Sequence, residues 1–195
     1  MGATDTVMLG IWTASDQVAL YSTAARLAVL VSFPLVAIST ISSPMLAGLH
    51  AAGDHANLQH VARATTVIAL MIALPAAALF WLYPQYPLLI FGRDFVPAST
   101  TLAILALGHC INVATGPVGN LLMLTGHEKL MRNNIAASSA LNVLLNMVLI
   151  PSFGIAGAAA ATAFSLAIMN VTSLLLAYRE LGVFPFWFPA LALKR

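Results

Sequence analysis

Charge is what this sequence has least of. Its 195 residues include eight Lys or Arg and six Asp or Glu, so 7% are charged, against about 25% in an ordinary soluble domain. So few charges cannot cover a water-facing surface, and water is excluded as the main solvent. The same scarcity excludes a disordered chain and a nucleic-acid binder, both of which need polar or strongly basic sequence. The net charge of +2 and the pI near 9.0 do not change that. A single cysteine, Cys110, excludes an intramolecular disulfide and a cysteine metal cluster. Catalytic signatures are missing too. There is no Gly-x-Ser-x-Gly elbow, no His-Glu-x-x-His, no phosphate loop and no intramembrane carboxylate pair. No enzyme, cofactor or resident metal is expected.

What is present is apolar: 61% of the residues are hydrophobic and the mean hydropathy is +0.94. Stretches 27–53, 64–92, 95–127 and 133–178 contain no Asp, Glu, Lys or Arg. A membrane helix needs about 20 mostly apolar residues. The first three runs therefore hold one helix each, and the last is long enough for two. Pro151, Gly154 and Gly157 mark where that last run should break. A barrel would alternate polar and apolar residues, and these runs do not.

The expected fold is an all-α integral membrane bundle of five complete transmembrane helices, near 17–48, 57–82, 98–124, 130–150 and 155–177. A partial helix at 3–12 precedes them and reads as the end of a helix whose beginning is missing. Pro34 and Pro44 predict a kink in the first complete helix. Pro75 falls inside the second, and Gly116-Pro117 inside the third. Residues 1–181 form one transmembrane lobe. Residues 182–195 form an interfacial tail carrying Phe184, Phe186, Trp187 and Phe188.

The few charges orient the bundle. Arg63, Lys129, Arg132, Arg179, Lys194 and Arg195 fall on one side, and Arg93, beside Asp94, on the other. By the positive-inside rule the first side is cytoplasmic, which puts the C-terminus inside.

One cation is left over. Arg26 lies about ten residues into the first complete helix, hence ~15 Å along it and near mid-membrane. A guanidinium there suits an anionic group crossing the bilayer, such as a diphosphate. The structural alternatives are an ion pair with Asp5 or Asp16, or a side chain that snorkels to the interface. Asp5 would face the same cavity as Arg26 if its short apolar run ends a membrane helix; otherwise it has no role. Asn112, Asn120, Asn142, Asn146 and Asn170 are either interhelical hydrogen-bonding groups or substrate contacts. Asn142 and Asn146 share one helix face. His109 is either a proton relay or a packing residue. His50, His55 and His60 do not share a helix face and make a poor metal site. Asp54 is placed to cap the following helix. Gly154, Gly157, Ala158, Ala161, Thr162 and Ser165 make the last helix small enough to pack closely.

Tyr21-Ser-Thr-Ala-Ala-Arg26-Leu with Ser32-Phe-Pro34 resembles the start of the eighth helix of bacterial polysaccharide flippases. Ile90-Phe-Gly-Arg-Asp-Phe95 followed by Ala103-Ile-Leu-Ala-Leu-Gly108 resembles the approach to the tenth. Thr115-Gly-Pro-Val-Gly119 with Leu121-Leu-Met-Leu-Thr-Gly-His127 is the most specific segment. Asn142-Val-Leu-Leu-Asn146, Leu149-Ile-Pro151 and Gly154-Ile-Ala-Gly-Ala-Ala159 complete the series in order. Together they resemble the C-terminal lobe of a Wzx-type O-antigen or exopolysaccharide flippase, in the multidrug/oligosaccharidyl-lipid/polysaccharide exporter superfamily.

That resemblance implies half of a two-lobe fold. It implies alternating access moving an undecaprenyl-diphosphate-linked oligosaccharide across the bacterial inner membrane, with a missing N-terminal lobe as partner. The Tyr21-x-x-x-x-Arg26-Leu27 pattern also resembles lipid II flippases, which implies that Arg26 lines the cavity. The other readings are a non-transporting membrane fragment or scaffold, or a multidrug/cation antiporter of the same superfamily. An antiporter would use intramembrane carboxylates, and none follows Asp16 within a span.

Overall fold

The structure, a computed structural model, describes residues 2–183 and Pro185. Charge-free runs fold as helices because a membrane interior offers no water to pair with backbone N–H and C=O groups. The order is α1 (Gly2–Trp12), α2 (Ser15–Ala51), α3 (His55–Leu82), α4 (Gln85–Leu89), a 3-10 turn at Arg93–Ala98, α5 (Ser99–Thr115), α6 (Val118–Leu124) and α7 (Glu128–Leu181). Among the described residues there is no strand. Four stretches are long and apolar enough to cross a membrane: Ser15–Ala51, His55–Leu82, Arg93–Thr115 and Glu128–Leu181. Of the expected tail at 182–195, only Gly182, Val183 and Pro185 are among the described residues.

The distribution of side chains inverts that of a soluble protein. Ile41 is 72% exposed and Ile90 82%, while Asp5, Asn142, Asn146, Ser165 and Ser173 are buried. Large apolar side chains facing outward along every long helix need a hydrocarbon surrounding. The chain is an all-α multi-pass membrane protein.

The 54-residue α7 is not one straight rod. Gly154 takes φ 56° and ψ −133°, a non-helical conformation that suits glycine. Residues 128–153 and 155–181 fold back on one another there. Ser173 Oγ donates to Met131 Sδ at 3.4 Å, Asn134 Nδ2 to the Met169 carbonyl at 2.8 Å, and Asn142 Nδ2 to Thr162 Oγ1 at 3.1 Å. As one partner's number rises the other's falls, which is an antiparallel register. At the turn the arms touch so closely that a Cβ on Gly157 would collide with the Leu149 carbonyl.

The helix expected near 98–124 is two pieces. Gly116, at φ 73° and ψ −159°, ends α5, and Pro117 leads into α6. A Cβ on Gly116 would collide with Thr66 Oγ1, so the break lies directly against α3. By contrast, Pro34 and Pro44 lie within a continuous α2, and Pro75 within α3.

Two apolar clusters hold the helices. In one, Tyr21, Ala28 and Val31 of α2 meet Ala69 and Ala73 of α3, Leu102 and Leu105 of α5, and Ala158 of α7. In the other, Leu46 from the end of α2, Leu58 from the start of α3, Leu121 and Leu122 of α6, and Met131 and Ala177 of α7 converge. The second cluster marks one end of the bundle. Arg63, Lys129, Arg132 and Arg179 sit on the same helix ends as this cluster, whereas Arg93 follows α4, past the far end of α3. There too the turn out of α2 is closed by Gly53 at φ 69°, and Asp54 caps α3. Asn57 Nδ2 donates to Asp54 Oδ2 at 2.7 Å and Asn57 N to Oδ1 at 3.1 Å. These two bonds, the side-chain one first, hold the Asp54 carboxyl below its usual pKa.

Candidate functional site

Asp5 is enclosed. It lies in α1, which packs against α7 and α2, and its side chain has no exposure. Three donors converge on it. Tyr21 Oη donates to Oδ2 at 2.8 Å, Thr162 Oγ1 to Oδ2 at 2.6 Å, and Asn146 Nδ2 to Oδ1 at 2.6 Å. Asn142 extends the cluster, donating to Thr162 Oγ1 at 3.1 Å and accepting from Asn146 Nδ2 at 3.4 Å. The Asn142/Asn146 pair thus turns its shared face toward Asp5 through the 146 side chain. Asn146 makes the interhelical hydrogen bond that was one of its two expected uses, whereas the pairing of Tyr21 and Thr162 with Asp5 was not expected from the sequence. The one signal was an acidic residue in an apolar run opposite an i, i+4 Asn pair.

Among the described residues no Lys or Arg is in an ion pair with Asp5. A buried carboxylate without a basic partner must be stabilised by hydrogen bonds, by a proton or by a cation. Asn146 Oδ1 is also buried and has no hydrogen-bond partner. Here the three donors supply hydrogen bonds to the carboxylate.

Arg26 and Asp5 are not brought together. Arg26 is exposed on α2, whereas Tyr21, five residues earlier, is buried against Asp5. Arg26 shares its outward face with Val29, Leu30 and Phe33, each more than half exposed. It forms no ion pair with Asp5 or Asp16 among the described residues.

Asn112 and Asn120 are brought to one place. Both line a crevice of about 400 Å³ between α2, the α5–α6 break and α7. Asn112 also ties α5 to α2: its Nδ2 donates to Ser32 Oγ at 3.1 Å, and Ser32 Oγ lies 2.8 Å from His109 Nδ1. Asn120 is exposed on α6. Asn170, on the far wall, accepts from Thr115 Oγ1 at 3.4 Å and donates to the Leu166 carbonyl at 2.8 Å. Gly116 and Pro117, at the break between α5 and α6, line the crevice as well.

Polar side chains enclosed within an apolar-faced bundle, with a crevice open beside a broken helix, make this a multi-pass helical membrane domain. The MatE family model matches residues 1–148, and the chain belongs to the MatE family. It is 27% identical over 168 residues to the probable low-salt glycan biosynthesis flippase Agl15 of Haloferax volcanii, covering 86% of this chain and 36% of that protein. It is 26% identical over 171 residues to the uncharacterized membrane protein MJ1068 of Methanocaldococcus jannaschii, covering 87% of this chain and 34% of that one. The chain thus spans about a third of the length of the curated relatives it matches. No solved structure matches it.

Proposed function

We propose that this chain is the C-terminal lobe of a Wzx-type flippase. Its cargo is an oligosaccharide linked to undecaprenyl diphosphate, moved across the bacterial inner membrane by alternating access. A second lobe supplies the opposite wall, because rocking around a shared site needs two. The bundle crosses the membrane five times, with the two arms of α7 counted separately and α1 ending a sixth crossing. The end that gathers Arg63, Lys129, Arg132 and Arg179 faces the cytoplasm, in keeping with the positive-inside rule.

The observation that carries this reading is Arg26. It stands eleven positions after Ser15, ~17 Å along α2, exposed on an apolar face and without an acidic partner among the described residues. A guanidinium at that depth is costly unless it meets an anion. A diphosphate offers oxygens that match its planar fork. Asn112 and Asn120 then contact the polar head group from the crevice. Similarity to a probable glycan biosynthesis flippase supports the cargo class. The test is glycan display in cells carrying the two-lobed transporter. Arg26→Ala abolishes display at matched protein level and Arg26→Lys keeps part of it. Full display with Arg26→Ala sinks the reading.

Ion-driven antiport is the second reading, and Asp5 favours it. The sequence offered no carboxylate within a span after Asp16, but the fold encloses Asp5 among Tyr21, Asn146 and Thr162. Under this reading Asp5 binds the coupling proton or cation and is no substrate contact. Asp5→Asn then abolishes gradient-driven transport while substrate binding stays. Unchanged transport in that variant removes antiport as an alternative.

A further inference from the structure

Beyond Arg26 and Asp5, the crevice has a chemistry of its own. Its polar lining is Ser39, Thr40, Ser43, Asn112, Asn120 and Asn170. Among the described residues no Asp, Glu, Lys, Arg or His lines it. Hydroxyls and amides both donate and accept, so this lining suits a ligand that alternates the two roles and carries no charge. A charged ligand would lose its hydration without meeting a counter-charge, and a lipid tail would leave the amides and hydroxyls unpaired.

Two further observations point to an occupant. Ser39 Oγ is buried and has no hydrogen-bond partner, although Ser39 lines the crevice. Turned toward the crevice by rotation about its Cα–Cβ bond, such a hydroxyl is a cost that a ligand can recover. Met123, Met131 and Met169 supply soft, adaptable apolar contacts for the C–H face of a ring. The volume of about 400 Å³ lies within the ~300–1,000 Å³ range of small-ligand sites.

We infer that this crevice is a binding site for one uncharged sugar unit, a hexose or an N-acetylhexosamine. The inference rests on the flippase reading above and names the part of the head group held here. Thr40 lies on the same face of α2 as Arg26, and the step from residue 26 to residue 40 is ~21 Å along the helix. A ligand whose diphosphate meets Arg26 therefore places here a sugar further out along the glycan than the one bonded to phosphate. The absence of charge in the lining makes the site select against uronic acids and other charged sugars.

The test uses the full chain purified in detergent, with binding read by saturation-transfer NMR. The probes are methyl N-acetylglucosaminide, methyl glucoside and methyl glucuronide. The third shares the glucoside ring but carries a carboxylate. Both neutral glycosides bind saturably, and the glucuronide binds at least ~10-fold more weakly because its carboxylate is desolvated without a partner. Asn120→Ala and Thr40→Val, at exposed positions, each weaken neutral-sugar binding ~2–10-fold, the worth of one hydrogen bond. Ser39→Ala weakens it to a similar extent and leaves thermal stability unchanged or higher, since its Oγ has no partner in the fold to lose.

Glucuronide binding as tight as glucoside binding overturns the inference, as does unchanged affinity across all three variants. The two proposals fail separately. If Arg26→Ala abolishes display but no neutral sugar binds, the crevice falls and the flippase reading stands. If neutral sugars bind as described but Arg26→Ala leaves display intact, the flippase reading falls and the crevice stands.

Discussion

Replacing Asp5 with Leu tests whether the enclosed carboxylate organises the lobe. The substitution keeps the branched four-atom outline of the side chain but removes every acceptor, and its two bulkier methyl groups add crowding to the loss. Tyr21 Oη, Thr162 Oγ1 and Asn146 Nδ2, now 2.6–2.8 Å from the carboxylate oxygens, lose their partner together. Polar contacts between membrane helices are worth ~0.6–1.7 kcal/mol each, so three put the loss at ~2–5 kcal/mol. These bonds join α1 to α2 and to both arms of α7, so α1 should detach before the rest unfolds. Asp5→Asn should cost less, ~1–2 kcal/mol, because the amide oxygen still accepts and the two hydroxyls can rotate. The assay is denaturant unfolding in mixed micelles, with the tryptophan fluorescence of Trp12 reporting on α1. If Asp5→Leu unfolds at the wild-type midpoint, the hydrogen bonds to Asp5 do not hold this helix and the account of the cluster is wrong.

Three other perturbations follow from particular positions. Gly154→Ala forces a Cβ onto φ 56° and ψ −133°, so it should cost ~1–3 kcal/mol and loosen the α7 hairpin; wild-type stability would contradict that. Gly116→Ala should destabilise through the collision with Thr66, and Thr66→Ala should recover part of the loss, with a coupling of ~0.5–3 kcal/mol; strictly additive effects would remove the contact from the explanation. The Asp54 carboxyl has its pKa lowered by Asn57, so its cap is fully present above the ordinary carboxylate pKa and is lost as pH falls through the lowered folded value. Amide exchange at the start of α3 should therefore accelerate only at acid pH, and in Asp54→Ala it should be fast and independent of that titration.

The helices were legible because their cause is local. A charge-free run must pair its own backbone in lipid, and α2, α3, α5 and α7 occupy the runs that begin at 27, 64, 95 and 133. The fold-back in α7 was legible for the same reason, since Pro151, Gly154 and Gly157 stand together in the sequence. Whether Gly116-Pro117 bends or breaks its helix was not, because that depends on which φ the glycine takes and on Thr66 lying against it. The site divided along the same line. Asn112 and Asn120 stood out as polar groups in apolar helices, and the fold places both on one crevice. Asp5 stood out too, but its partners lie 16, 141 and 157 positions away. No periodicity carries a pairing at that range. Thr162 read as a small packing residue and Tyr21 as part of a motif; only the packing of α1 on α2 and α7 gives them a shared role.

The central proposal is that this lobe, paired with a second, forms a transporter of a diphosphate-linked glycan in which Arg26 meets the diphosphate. Its most direct test is translocation in vesicles reconstituted with the two-lobed transporter and an undecaprenyl-diphosphate-linked oligosaccharide. Arrival of the glycan at the far leaflet is followed with a membrane-impermeant lectin. The wild-type protein should expose the glycan over time, Arg26→Lys should do so more slowly, and Arg26→Ala should match protein-free vesicles. Transfer by Arg26→Ala at the wild-type rate, at equal protein density, would contradict the account.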